Sequence, residues 1–259
     1  MKLCVLASGS SGNCTFISTG TTRILIDAGL SAKKTADRLA EIGERVEDVD
    51  AICVTHEHGD HIAGLRVLQK KYGFSVYANA GTLEGIRAAK QGGVVKCCQF
   101  TTGSKFEIGD FSIHPFSVPH DSKDSVGFTF SVGGQRVGVA TDVGMVTNPL
   151  RERLRACNVV VIEANHDEEL LRASARPWSL KQRILNNRGH LSNRDSAELI
   201  AEIANDGLQY VFLAHLSADC NTPERAKSQV EHVLAKAGHD HVCVYLTYAD
   251  GISEVLRLE

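Results

Sequence analysis

The segment Val54-Thr55-His56-Glu57-His58-Gly59-Asp60-His61 places four potential metal ligands, His56, His58, Asp60 and His61, within six residues. Imidazole and carboxylate together suit zinc, and also manganese or iron. The run follows a short apolar stretch and leads into apolar residues at helical spacing, Ile62, Leu65 and Leu68. A strand end would hold His56 and His58 on one side, because side chains alternate with period two. The chain then turns at Gly59, and Asp60 and His61 arrive from the first turn of a helix. One loop can thus serve two adjacent metal ions. A solvated polar loop is the plainer reading, since eleven histidines in 259 residues make some clustering expected. Three histidines and an aspartate directly after a buried strand disfavour it. Asp27, His120, Asp142 and His215 each follow an apolar run as well. Taken singly, a His or Asp in that position is more often structural.

The elements that must position these residues are short. Strands are predicted at residues 3–7, 15–18, 23–26, 51–54, 75–78, 111–117, 127–132 and 136–140, with Gly133-Gly134 as a hairpin turn. Helices are predicted at 32–42, 62–72 and 82–90. The second half alternates helices at 149–155, 193–204 and 222–237 with strands at 159–162, 210–213 and 242–246. Strands with helices in both halves suggest two sheets packed together with helices outside. No linker, repeat or low-complexity run interrupts the chain, which reads as a single domain, 1–259, built of two similar halves.

The H-x-H-x-D-H pattern resembles the metallo-β-lactamase superfamily, and Asp27, His120, Asp142 and His215 match its remaining motifs in order. The resemblance implies an α+β fold, the αββα four-layer sandwich. It also implies two divalent metal ions, zinc or manganese with iron as an option. His56, His58 and His120 would hold the first, and Asp60, His61 and His215 the second. Asp142 would bridge both. Asp60 counts among the catalytic residues too. Asp27 would orient a ligand histidine or the loop; a buried carboxylate capping loop amides is an equally good reading. Leu6–Asn13, Asp27–Ser31, Glu163–Asp167, Gly189–Asn193 and Ala214–Ser217 add a closer likeness. Together they look like the YycJ (WalJ) type of this superfamily, near the ribonuclease Z and small phosphodiesterase branch. That type implies a bacterial protein of DNA metabolism with 5′-to-3′ exonuclease activity on DNA.

Two metal ions a few ångströms apart can share a hydroxide, because metal binding lowers the pKa of water to about 7. Such a site needs no serine or cysteine nucleophile. Residues 170–194 carry six basic residues and no Asp or Glu, which suits phosphate contacts through Arg176, Lys181, Arg183 and Arg188. Trp178, the only tryptophan, lies among them and could stack on a base. A solvated helical face with Trp178 packed in the core is the competing reading. His190 precedes a probable helix that Ser192 or Asn193 would cap, and Ser192 joins the substrate-contact candidates. A histidine there is suited to protonate a leaving alkoxide. His166 is its rival, with a substrate-binding or supporting role as the alternative. The Ala7–Cys14 glycine–serine run could offer amides to a phosphate, though a plain hairpin turn reads better.

Net charge is −3, so no global basic field announces a nucleic-acid binder. The N-terminal apolar run is too short for a signal peptide and no stretch reaches membrane-span length. Eight cysteines without a C-x-x-C pair read as core filling, with Cys4, Cys53 and Cys243 inside apolar runs. These features point to the cytoplasm, with DNA as substrate and no membrane partner. The competing function is hydrolysis of a small phosphodiester, thioester, lactone or β-lactam. A non-catalytic module that kept the fold is a third reading, disfavoured by the complete donor set.

Overall fold

A computed structural model describes residues 1–89 and 97–258. In chain order the first elements are β1 (Lys2–Ala7), β2 (Cys14–Ser18), β3 (Arg23–Ile26), α1 (Ala32–Glu41), β4 (Ala51–Cys53), α2 (Gly59–Ile62), α3 (Leu65–Tyr72), β5 (Ser75–Ala78), α4 (Ala80–Ala88) and β6 (Cys97–Gln99). Then come β7 (Phe106–Ile108), β8 (Phe111–Ser117), β9 (Val126–Val132), β10 (Gln135–Ala140), α5 (Asn148–Arg155) and β11 (Val159–Glu163). The chain closes with α6 (Glu168–Ala173), α7 (Trp178–Leu185), α8 (Asn193–Ile203), β12 (Tyr210–Ala214), α9 (Pro223–Lys236), β13 (Cys243–Leu246) and β14 (Leu256–Arg257). Two seven-stranded sheets result, ordered β14-β1-β2-β3-β4-β5-β6 and β13-β12-β11-β10-β9-β8-β7. Both are mixed, antiparallel where hairpins join strands and parallel where helices do.

The chain divides into two compact units, one of residues 1–115, 122–126 and 248–259 and the other of 116–121 and 127–247. Each has its own apolar core. In the first, Leu6, Phe16, Leu25 and Ile52 from the sheet pack with Leu39, Leu65, Leu68 and Leu83 from its helices. In the second, Val160, Ile162 and Leu213 from the sheet pack with Leu154, Ile200, Val230 and Leu234. Strands β11 and β12 are buried along nearly their whole length, as parallel strands covered on both faces must be.

Several expectations shift. The helix predicted at 62–72 starts only at Leu65, after the separate turn α2. A Cβ on Gly64 would lie 1.9 Å from the Leu30 carbonyl oxygen, so close backbone approach interrupts the helix there. The helix predicted at 82–90 begins at Ala80 under the cap of Asn79, and Lys90 lies outside the described residues. β6, β7, α6, α7 and β14 lie outside the predicted elements. Cys243 is exposed on the edge strand β13 rather than filling a core, whereas Cys4, Cys14, Cys53, Cys157 and Cys220 are buried; all eight thiols are free. No helix among the described residues is long and apolar enough to cross a membrane.

Candidate metal centre

In the first unit the donors stand at the carboxyl end of β4. That strand ends at Cys53, so His56 and His58 lie in the loop and strand alternation does not place them. The ladder stops because Thr55 turns toward Asp27: its N–H donates to Asp27 Oδ1 and its hydroxyl to Oδ2, each at 2.8 Å. The His56 ring sits 4.6 Å from the His58 ring and 4.1 Å from the His61 ring, centroid to centroid. Asp60 and His61 come from the single turn α2, whose N-cap is His58. His61 Nδ1 lies 2.7 Å from Asp27 Oδ2. The carboxylate only accepts, so Nδ1 carries the proton and the Nε2 lone pair is left for a donor or a metal.

The glycine–serine run bears on this cluster through Asn13. Its Nδ2 donates to Asp60 Oδ2 at 3.1 Å and meets His61 Nε2 at 3.0 Å, while its carbonyl oxygen accepts from Gly9 N–H at 2.9 Å. Gly29 completes the packing, for a Cβ there would fall 1.7 Å from the Asp60 carbonyl oxygen.

The second unit presents its donors at the carboxyl ends of three adjacent parallel strands. Asp142 follows β10, Glu163 ends β11 and His215 follows β12. His120 arrives after β8, and His190 from the loop before α8. One ligand atom from each of Asp142, Glu163, His190 and His215 lies within 4.8 Å of the others. Glu163, with no exposed surface, organises them. Its Oε1 accepts from Nδ1 of both His190 and His215 at 2.8 Å, and its Oε2 from the amides of Val143 at 2.9 Å and Leu191 at 3.0 Å. His120 Nδ1 meets the Gly189 carbonyl at 3.1 Å, leaving Nε2 3.7 Å from Asp142 Oδ1.

These contacts set the titration of the cluster. Burial alone would raise the Glu163 carboxyl, but the charge and hydrogen bond of His190, with the bond from His215, hold it at about 2. Burial pushes His190 down, yet the Glu163 carboxylate outweighs it and the ring sits above its usual value. His120 is lowered by burial. His166 is pushed down to about 4 by burial.

Three non-glycine residues have a left-handed backbone among the described residues: Asp27 (φ 63°), Asp142 (φ 55°) and His215 (φ 56°). Each is a candidate site residue within two residues of a strand's end. Asp adopts this conformation more readily than most residues, and His is enriched there too. Holding it costs on the order of 1–3 kcal/mol per residue, and such strain gathers at functional sites. The donor set of imidazoles and carboxylates, with several Nδ1 atoms fixed by acceptors, fits divalent metal ions.

The other predicted residues are placed as follows. Ser192 is the N-cap of α8, accepting from Asp195 N–H at 3.1 Å. His190 is bonded to Glu163, whereas both ring nitrogens of His166 are buried without a hydrogen bond. Arg183 and Arg188 tether the His120 loop, pairing with Asp121 at 2.6 Å and donating to the His120 carbonyl at 2.9 Å. Arg176 pairs with Asp219 at 2.9 Å. The Lys181 ammonium is committed to the carbonyls of Arg172 and Ser174. Trp178 is 64% exposed at the start of α7, not packed in the core. Sequence reasoning missed Glu163 and Asn13 as site residues. The signals for them were a carboxylate closing a run of four apolar residues, at Glu163, and the place of both residues in the segments Leu6–Asn13 and Glu163–Asp167 that carry the family likeness.

Residues 22–216 match the profile of the β-lactamase superfamily domain, a span running from just before Asp27 to just after His215. The exodeoxyribonuclease WalJ of Streptococcus pneumoniae is 40% identical over 239 residues, covering 91% of this chain and 89% of its own. This chain belongs to the metallo-β-lactamase superfamily. Within the superfamily it falls in the WalJ/YycJ family, for the exodeoxyribonuclease YycJ of Bacillus anthracis is 38% identical over 237 residues, 90% of this chain and 89% of that one. The fold agrees. The metallo-β-lactamase-fold protein YhfI of Bacillus subtilis superposes with a TM-score of 0.73 at 15% identity, covering 98% of this chain and 99% of its own.

Proposed function

We propose that this protein is a metal-dependent phosphodiesterase that degrades DNA exonucleolytically in the 5′-to-3′ direction. The observation that carries the proposal is the 40% identity, across 91% of the chain, with an exodeoxyribonuclease. The two units would act as one functional domain. His56, His58 and His120 would hold one divalent ion, Asp60, His61 and His215 a second, and Asp142 both, with zinc or manganese favoured by the donor set and iron as an option. Ions held there would supply an activated water at neutral pH and polarise the phosphoryl oxygen.

The chain's own residues perform the rest. Glu163 fixes His190 through Nδ1, so the His190 Nε2 proton is the one available to a leaving alkoxide. Asp27 and Thr55 hold His61, and Gly189 holds His120, so that each ring presents Nε2. Arg183 and Arg188 fix the His120 loop, and Trp178 offers an exposed aromatic face to an unpaired base. The free thiols suit a reducing cytoplasm.

The test incubates the purified protein with manganese and 5′-phosphorylated, 3′-labelled duplex DNA, beside an Asp142→Asn variant and a chelator control. Asparagine tolerates the left-handed backbone at this position, so the variant removes the charge and spares the turn. Shortening from the 5′ end that disappears in both controls is the expected result. A metal-loaded protein that leaves DNA intact would refute the nuclease reading and point to a small phosphodiester or acyl substrate. His190→Ala should lower turnover by roughly 10²–10⁴-fold with metal content retained.

A further inference from the structure

The second unit contains a cavity of about 420 Å³ lined by both His190 and His166. That volume lies in the range of roughly 300–1,000 Å³ typical of small-ligand sites. His166 is only 1% exposed, and neither ring nitrogen has a hydrogen-bond partner. Its backbone is pinned instead: the carbonyl accepts from Asn193 N–H at 2.8 Å, and the residue bridges to Ser192. An unpaired buried polar group costs about 1–3 kcal/mol, so two on one ring call for an explanation. A ligand in the cavity supplies it. A neutral imidazole offers that ligand one donor and one acceptor.

The rest of the lining narrows the ligand. Met145 and Leu185 are 40% and 41% exposed, and with Val146, Leu191 and Leu199 they give the cavity apolar wall. Glu168, Asp195, Glu198 and Glu202 face it as well, and Glu168, Glu198 and Glu202 are paired with Arg172, Arg194 and Arg151. With those arginines committed, the lining offers a phosphate no unpaired arginine or lysine, while its carboxylate oxygens still accept N–H donors. Flat apolar faces with an edge of N–H donors and ring acceptors describe a nucleobase, and bases taken out of the stack are held in this manner. Every DNA base carries at least one such N–H, so the site requires no particular sequence.

We propose that this cavity receives the nucleobase of the terminal nucleotide, with His166 hydrogen-bonded to the base edge, while the phosphate stays on the His190 side. The proposal rests on the nuclease reading and names the subsite that reading lacks. His166 is then a substrate-binding residue and His190 alone the proton donor.

Two measurements test it separately from nuclease activity itself. The first compares kcat/KM on duplexes whose 5′-terminal residue is either a normal nucleotide or an abasic tetrahydrofuran. Wild-type protein should favour the base-bearing end by about tenfold, roughly the value of one buried hydrogen bond. His166→Ala should bring that ratio toward one, and His166→Gln, which keeps a donor and an acceptor, should restore part of it. Equal rates on both ends in the wild type, or an unchanged ratio in His166→Ala, would overturn the proposal. The second measures calorimetric binding of dAMP and of deoxyribose 5-phosphate to the metal-free protein. Tighter binding of dAMP, lost in His166→Ala, supports the subsite even if no DNA is cut. Equal binding of the two overturns the subsite whether or not DNA is cut.

Discussion

Replacing Glu163 by Gln is the sharpest single perturbation of this centre. The carboxylate has no exposed surface and accepts four hydrogen bonds, two from histidines on Oε1 and two from backbone amides on Oε2. An amide can serve only one of these pairs, because its NH₂ end faces two donors whichever way it is turned. Two unmet donors at about 1–3 kcal/mol each give roughly 2–6 kcal/mol, and a change of histidine tautomer recovers part of that. An independent route agrees. Holding the carboxyl at about 2 instead of 4.5 is worth about 3 kcal/mol at about 1.4 kcal/mol per pH unit. The folded value is the lower one, so this stability is fully present above pH 4.5 and is lost as the pH falls toward 2. At neutral pH the metal-free Glu163→Gln variant should therefore lose about 3 kcal/mol in urea unfolding. Glu168→Gln, on the first turn of a short surface helix, should lose less than about 0.5 kcal/mol. A Glu163→Gln loss no larger than that of Glu168→Gln would refute the view that one carboxylate ties the strand ends together.

Three further outcomes follow from the same geometry. His166 is held neutral, with a folded value of about 4 against 6.5 in the unfolded chain, so stability falls as the pH drops from 6.5 to 4 and the unfolded state takes up the proton; His166→Gln should flatten that acid limb by about 3 kcal/mol in pH-dependent urea unfolding. Gly29→Ala would press a methyl group into the Asp60 carbonyl and should lower both thermal stability and metal stoichiometry, read by calorimetry and elemental analysis. Trp178→Ala should change folding stability by less than about 0.5 kcal/mol but weaken single-stranded DNA binding by about 1–3 kcal/mol, measured by fluorescence anisotropy.

What the sequence discloses and what it hides divide along physical lines. The donors that follow apolar strands were legible because burial leaves a hydrophobic run and the chemistry begins where the run stops, as at Asp27, His56, Asp142 and His215. Glu163 was not, because a carboxylate closing such a run looks like ordinary strand-end polarity; its role depends on His190 and His215 being brought to one oxygen from 27 and 52 residues away. Asn13 was hidden for the same reason, its contact to Asp60 spanning 47 residues. Strand β6, Cys97-Cys98-Gln99, carries too little apolar pattern to declare itself. The basic stretch was visible as charge, but charge did not say that Lys181 would turn inward to two carbonyls while Trp178 stayed outside.

The three left-handed residues connect fold to chemistry more tightly than the ligand inventory does. A strand that simply ran on past residue 26, 140 or 214 would let the chain leave along the sheet and carry the following side chains away from their neighbours. Turning through positive φ at Asp27, Asp142 and His215 instead reverses the backbone within one residue. The strain, on the order of 1–3 kcal/mol at each position, is offset locally. The Asp27 carboxylate accepts two bonds from Thr55 and one from His61, and the His215 ring is bonded to Glu163. Next to Asp142, the Val143 amide is held by Glu163. The carboxylate that bonds His190 and His215 therefore also bonds the turn that follows Asp142. Any substitution at Glu163 should accordingly disturb metal binding and proton donation together, whereas His190→Ala should disturb proton donation alone.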